Sequence, residues 1–128
     1  MESQKSAIGL DGNITAAIGY PIGIIALILI FIEKDNRFVR FHAIQSVLWG
    51  LAMAIAIFAI MIVGIVIAFA AGAVSSTLGW IVGVILGLLY LVWFVGTMGG
   101  MIYAAIKAYG NEMFKLPIVG DFADKWSA

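Results

Sequence analysis

Apolar residues in this chain come in long runs rather than in alternation, and the charged positions are swept into three short places. These are the first eleven residues, 33–40 and 107–125. No Asp, Glu, Lys or Arg stands between Asp11 and Glu33, and none between Arg40 and Lys107. At 1.5 Å of rise per residue, about 20 helical residues cross the hydrocarbon core of a bilayer. The first neutral stretch therefore holds one span and the second holds two. Lipid offers backbone polar groups no partner, so only helices and closed barrels cross it, and these runs lack the alternation of barrel strands. The predicted fold is all-α: an integral membrane helical bundle of about three transmembrane helices plus a short amphipathic C-terminal helix. It forms a single membrane domain over residues 1–128.

The predicted spans are residues 14–32, 46–71 and 79–109, with interfacial segments at 35–45 and 117–126. Asp11 or Asn13 suits the N-cap of the first span. Pro21, flanked by Gly19 and Gly23, falls inside it and marks a hinge or an ordinary packing kink. Glu33-Lys34-Asp35-Asn36 ends the apolar run and supplies caps for a helix starting near Arg37. Residues 72–78 read as a short turn, and Gly110-Asn111 suits a helix C-terminus. Beyond Pro117, the residues Ile118, Phe122 and Trp126 recur every four positions, while Asp121, Asp124 and Lys125 are polar. That pattern predicts a short helix lying along the cytoplasmic face, with Trp126 at headgroup level.

Orientation follows from the basic residues. Three spans put Lys34, Arg37, Arg40, Lys107, Lys115 and Lys125 on one side and Lys5 on the other. Breaking the last span at Gly99-Gly100 would divide them three against four. Basic residues gather on the cytoplasmic side, so the expected topology is a multi-pass protein of the cell membrane, N-terminus outside and C-terminus cytoplasmic.

Small residues supply the expected contacts between helices. Gly79, Gly83 and Gly87 open the last span at a spacing of four, and Gly96, Gly100, Ala104 and Ala108 continue it. Gly64, Ala68 and Gly72 close the span before. Lipid tails give helices no hydrophobic reason to associate, so backbone approach through small residues is a principal route. An antiparallel hairpin is predicted, with these faces pairing within one chain or between chains.

Composition narrows the chemistry. Hydrophobic residues make up 64% of the chain and charged residues 11%, with mean hydropathy +1.14. A soluble domain is nearer half apolar and a quarter charged, so the charges here are too few to cover a water-facing surface. A formal net charge of zero gives no argument for nucleic acid, and the absence of cysteine removes disulfide and thiol chemistry. Hydrolysis or proton transfer needs converging polar groups. One histidine and no carboxylate within a span do not provide them, so no enzyme activity, cofactor or metal site is expected. The expected partners are the lipid bilayer and other membrane proteins or a second copy, not nucleic acid.

Polar side chains do converge at residues 35–46. At about 100° per residue, Arg37 and Arg40 share one face, while His42, Gln45, Ser46 and Trp49 gather on the nearly opposite one. Contact with lipid headgroups or a partner is expected at Arg37, Arg40, His42 and Gln45, and at Lys115 and Asp121 in the tail. The alternative for His42 is an ordinary hydrogen bond to a neighbouring helix. The 37–45 segment and the 115–121 tail are expected to pack together, with Asp121 pairing with Arg37 or Arg40.

The run Glu33-Lys34-Asp35-Asn36-Arg37-Phe38-Val39-Arg40-Phe41-His42-Ala43-Ile44-Gln45-Ser46 is followed far downstream by Lys107-Ala108-Tyr109-Gly110. Phe114-Lys115-Leu116-Pro117-Ile118-Val119-Gly120-Asp121 comes after that. Together these resemble the Tic-Twenty-like family of small prokaryotic membrane proteins, over about residues 19–125. The family is related to a channel-associated component of the chloroplast inner-envelope protein import machinery. The resemblance implies a non-enzymatic accessory subunit that associates with other membrane proteins or assists their transport or insertion. The alternative is an oligomeric channel or small-solute pore, hinged at Pro21 and lined by Thr15, Tyr20, Thr97 and Tyr103.

Overall fold

A computed structural model describes residues 4–128. Its elements are α1 (Gly12–Ile18), α2 (Gly23–Ile32), α3 (Arg37–Val74), α4 (Ser76–Tyr109) and α5 (Val119–Ser127). Among the described residues two helices, α3 and α4, are long and apolar enough to cross a membrane. The expected first span is not one of them.

Residues 12–32 fold back on themselves instead. Proline has no N–H to donate and its ring crowds the carbonyl four residues earlier. The helix accordingly ends at Ile18, and the turn beyond it is closed by Tyr20 N–H donating to Ala17 O at 3.3 Å. The next helix starts after Ile22, which holds φ −115° and ψ 83°. Gly19 and Ala26 would stand about 10 Å apart along one continuous helix. Here a Cβ built on Gly19 would touch Ala26 Cβ at 3.5 Å, so the chain reverses. Residues on either side of the pair also meet, since Ala7 N–H donates to Glu33 Oε2 at 2.6 Å. With seven and ten residues, α1 and α2 are each far short of a span.

Helix α3 runs unbroken for 38 residues, joining the expected interfacial segment to the expected second span. Asn36 caps it, its Oδ1 accepting from Val39 N–H, while Glu33 Oε1 accepts from Asn36 N–H at 3.1 Å. The turn predicted over residues 72–78 is a single residue, Ser75, whose hydroxyl accepts from Leu78 N–H and starts α4. Helix α4 ends where Asn111 takes φ 62°. Glu112 N–H then reaches Lys107 O, and Asn111 N–H reaches Ala108 O, both at 3.0 Å. That pair of bonds closes the helix end with asparagine in the left-handed position.

The chain forms two compact units. One comprises residues 1–51 and 99–128, the other residues 52–98. In the first, α2 packs on α3 through Ala26, Leu29, Val39 and Ala43, and α5 packs on α3 through Phe41, Ile44 and Ala123. The second is the hairpin between α3 and α4. Gly79 lies so close to Gly72 that an added Cβ would stand 2.9 Å from its Cα, and Gly64 lies under the Tyr90 hydroxyl. Most of its large apolar side chains, Phe58, Phe69, Trp80 and Val92 among them, point outward. Every charged residue of the sequence belongs to the first unit.

Candidate functional site

The polar face foreseen on α3 is buried in the first unit and forms a closed network there. His42 and Gln45 are both fully buried. Tyr20, at the tip of the α1–α2 reversal, places its hydroxyl 2.7 Å from His42 Nδ1 and 2.7 Å from Gln45 Nε2. Gln45 Nε2 also donates to Phe114 O, and its Oε1 accepts from Leu116 N–H, each at 2.9 Å. His42 Nε2 stands 2.9 Å from Glu112 O. One turn further on, Ser46 Oγ donates to Gly19 O at 2.9 Å.

With the imidazole neutral, the backbone partners decide every proton in this set. A carbonyl only accepts and an N–H only donates, so Gln45 has its nitrogen toward Phe114 and its oxygen toward Leu116. Gln45 therefore donates to the Tyr20 oxygen, which leaves the single Tyr20 proton for His42 Nδ1. Nδ1 is then an acceptor, and the Nε2 proton goes to Glu112 O. The histidine is held as one neutral tautomer. No donor in the set is left over for a substrate.

The tail is tied down in a second place. Arg37 pairs with Asp124, and Lys115 bridges Asp121 at 3.4 Å and Asp124 at 3.0 Å. The expected pairing of Asp121 with Arg37 or Arg40 is therefore corrected. Asp124 lies on the side of α5 that meets Arg37, whereas Asp121 points away, with its side chain 81% exposed. Arg40 is half-buried, its Nε enclosed without a hydrogen-bond partner among the described residues. Hydrogen bonding to Lys115, with the charge of Arg37 adding to it, holds the Asp124 carboxyl below its usual range. Asp124 and Asp121 in turn hold the Lys115 ammonium above its own.

The glycines fall into two groups. Gly79 meets Gly72, and Gly100 lies against the Trp49 ring, where a Cβ would come within 2.6 Å. Gly83, Gly87 and Gly96 have nothing within 4 Å of that position, so their faces are open. Pro21 lines a wholly apolar groove of about 320 Å³ with Ala17, Met101, Ile102, Ala105, Ile106 and Tyr109. Among the described residues no group of three or more His, Cys, Asp or Glu side chains stands together as a metal site. Sequence reasoning missed Tyr20 as a partner of His42 and Gln45, and Gly120 as the seat of Gln45. Only the position of Tyr20 beside Pro21 hinted at a reversal that would carry it there.

The family described as the magnetosome magnetite crystal formation protein family matches residues 6–123. Two UPF0132 membrane proteins of Methanocaldococcus jannaschii are similar to the chain. One is 35% identical over 126 residues, covering 96% of this chain and 94% of the relative. The other is 30% identical over 122 residues, covering 94% and 73%. A UPF0132 membrane protein of Archaeoglobus fulgidus is 32% identical over 119 residues, covering 88% and 92%. No solved structure matches. These findings overturn the resemblance to the Tic-Twenty-like family, to which none of them points. The order of polar segments that prompted it has a local cause: residues 33–46 and 112–124 are contiguous because they bond to each other.

Proposed function

For a chain that belongs to the magnetosome magnetite crystal formation protein family, we propose a non-enzymatic membrane scaffold that crosses the bilayer twice and assembles with other membrane proteins through its hairpin. From the family and its relatives only the membrane setting is carried over, which the names of the three relatives share. The one observation that carries the proposal is the division of labour between the two units. Tyr20, His42 and Gln45 spend their hydrogen bonds inside the first, and the second turns its apolar side chains and the Gly83–Gly87 face outward.

Two spans also change the expected topology. The placement of the N-terminus outside depended on residues 14–32 crossing the membrane. With that segment folded back, both chain ends lie on one side, and all seven Lys and Arg residues lie there with them. That distribution accords with the positive-inside rule, which supports a topology with both ends in the cytosol. An oligomeric pore would need a free polar lining. Thr15 instead bonds Ser6 and Asp11, Thr97 bonds Trp93 O, and Tyr103 stacks on Phe114 at 5.0 Å.

A photocrosslinking residue at Leu91, one step along the open glycine face, tests the assembly in native membranes. Discrete protein adducts are expected, their mass telling a second copy from another membrane protein. Adducts with lipid alone would overturn the proposal.

A further inference from the structure

Ile118 joins Pro117 to α5 with φ 66° and ψ −61°, and Val119 N–H donates to Pro117 O at 2.7 Å. A bond across one residue with these angles is the rare, strained form of the γ-turn. A β-branched side chain is among the least tolerant of a positive φ. Such strain persists only where the surroundings over-determine it, and here they do. Gly120 N–H is bonded to Leu116 O at 2.9 Å, and Gly120 sits so tightly that a Cβ would lie 2.5 Å from Lys115 Cβ and 2.9 Å from Gln45 Oε1. The strained residue nevertheless leaves its side chain outside, 77% exposed.

The rest of α5 shows where the gain lies. At about 100° per residue, the helix has three sectors, on average about 120° apart. Val119, Gly120, Ala123 and Ser127 form the buried sector. Asp121, Asp124 and Lys125 form the charged one. The third holds Phe122 and Trp126, 48% and 52% exposed, with ring centroids 5.6 Å apart; Ile118, just before the helix, is exposed as well. A helix lying loose on a membrane needs two sectors; a third is needed when protein, lipid and water each take one side. Arg37, in the first turn of α3, bonds the Asp124 carboxylate, and Ala123 packs on Phe41 and Ile44. This fixes α5 beside the level where the charges of residues 33–40 give way to the neutral run.

We propose that Ile118, Phe122 and Trp126 form a rigid blade set in the headgroup–acyl boundary of the same bilayer that α3 and α4 cross, with the γ-turn holding Ile118 out as its leading anchor. The inference rests on the spanning role given to α3 and α4. Its occupant is the lipid interface, because α5 is held by Ala123 against Phe41 and Ile44, where the charges of residues 33–40 give way to the neutral run.

Tryptophan quenching in vesicles tests this with the full chain. A variant carrying Trp49→Phe, Trp80→Phe and Trp93→Phe leaves Trp126 alone, and a companion keeps only Trp93, within α4. Trp126 is expected to be quenched by phosphatidylcholine brominated high on the acyl chain, weakly by lipid brominated near the chain end, and little by aqueous iodide. Ile118→Gly relieves the strain while removing the anchor. It should therefore keep the thermal stability of the single-Trp126 protein, or raise it, while losing part of the lipid quenching and gaining iodide quenching. Free access of iodide to Trp126 with no lipid quenching would overturn the proposal, as would unchanged quenching in the Ile118→Gly variant. If Trp93 also escaped both brominated lipids, the spanning role itself would fall, a failure distinguishable from that of the blade.

Discussion

Gln45 shows how much one side chain can hold when both ends of its amide have fixed partners. It joins the tip of the α1–α2 reversal to an extended stretch of the tail through Tyr20, Phe114 and Leu116. Gln45→Ala strands a buried N–H and a buried carbonyl, each costing roughly 1–3 kcal/mol when unpaired. Thermal unfolding in detergent should show about 2–4 kcal/mol of destabilisation. Tyr20→Phe leaves His42 Nδ1 and one Gln45 N–H buried without a partner, so a comparable loss of about 2–4 kcal/mol is expected. A negligible loss for either variant would contradict the network. Glycines offer a second contrast at this scale. Gly100→Ala must displace the Trp49 ring and should destabilise, whereas Gly96→Ala meets nothing within 4 Å. In a helix interior that second change is expected to be neutral or to stabilise by about 0.5–1 kcal/mol.

Among the elements, those whose signals are local were legible in the sequence. The capping pair Glu33 and Asn36 announces α3, and the spacing of Ile118, Phe122 and Trp126 announces α5. The reversal at Pro21 was not legible, because α1 and α2 are as apolar as a single span and a proline within a span is ordinary. What decides it is tertiary: Gly19 O is taken by Ser46, and the Tyr20 hydroxyl is taken by His42 and Gln45. The partner of Arg37 escaped for a related reason, since Asp121 and Asp124 share the charged side of α5 and only its docking angle separates them. Exposed pairs of this kind contribute little to stability, so they steer docking more than they stabilise it. A nitroxide on Lys125→Cys should report a loosened α5 in Asp124→Arg and in Arg37→Asp, and recovery when the two are combined. The pH dependence follows from the same pairs. Asp124, depressed on folding, contributes above its unfolded value of about 3.9 and loses that contribution as pH falls through the lower folded value. Lys115, raised on folding, contributes below about 10.4 and loses its share as pH climbs through the higher folded value. The nitroxide signal should be flat between these limits and loosen outside them.

Across the whole molecule, the decisive quantity is the separation of charge from the neutral hairpin. The unit of residues 52–98 carries no Asp, Glu, Lys or Arg, and the other unit carries them all. Twenty-three helical residues on each limb, 52–74 and 76–98, span about 35 Å, enough for a hydrocarbon core of roughly 30 Å with modest tilt. A neutral hairpin of that length has no reason to leave the bilayer, and moving the charged unit through it would require desolvating every ion pair. Both chain ends should therefore share a compartment. The chain lacks cysteine, so single substitutions report cleanly. Lys5→Cys and Lys125→Cys in inside-out vesicles should both react with a membrane-impermeant maleimide, and Ser75→Cys should react only in right-side-out vesicles. Opposite accessibility at positions 5 and 125 would require an odd number of crossings. The segment before Glu33 would then have to cross the bilayer, and the contacts of Gly19 with Ala26 and of Ala7 with Glu33 would have to break.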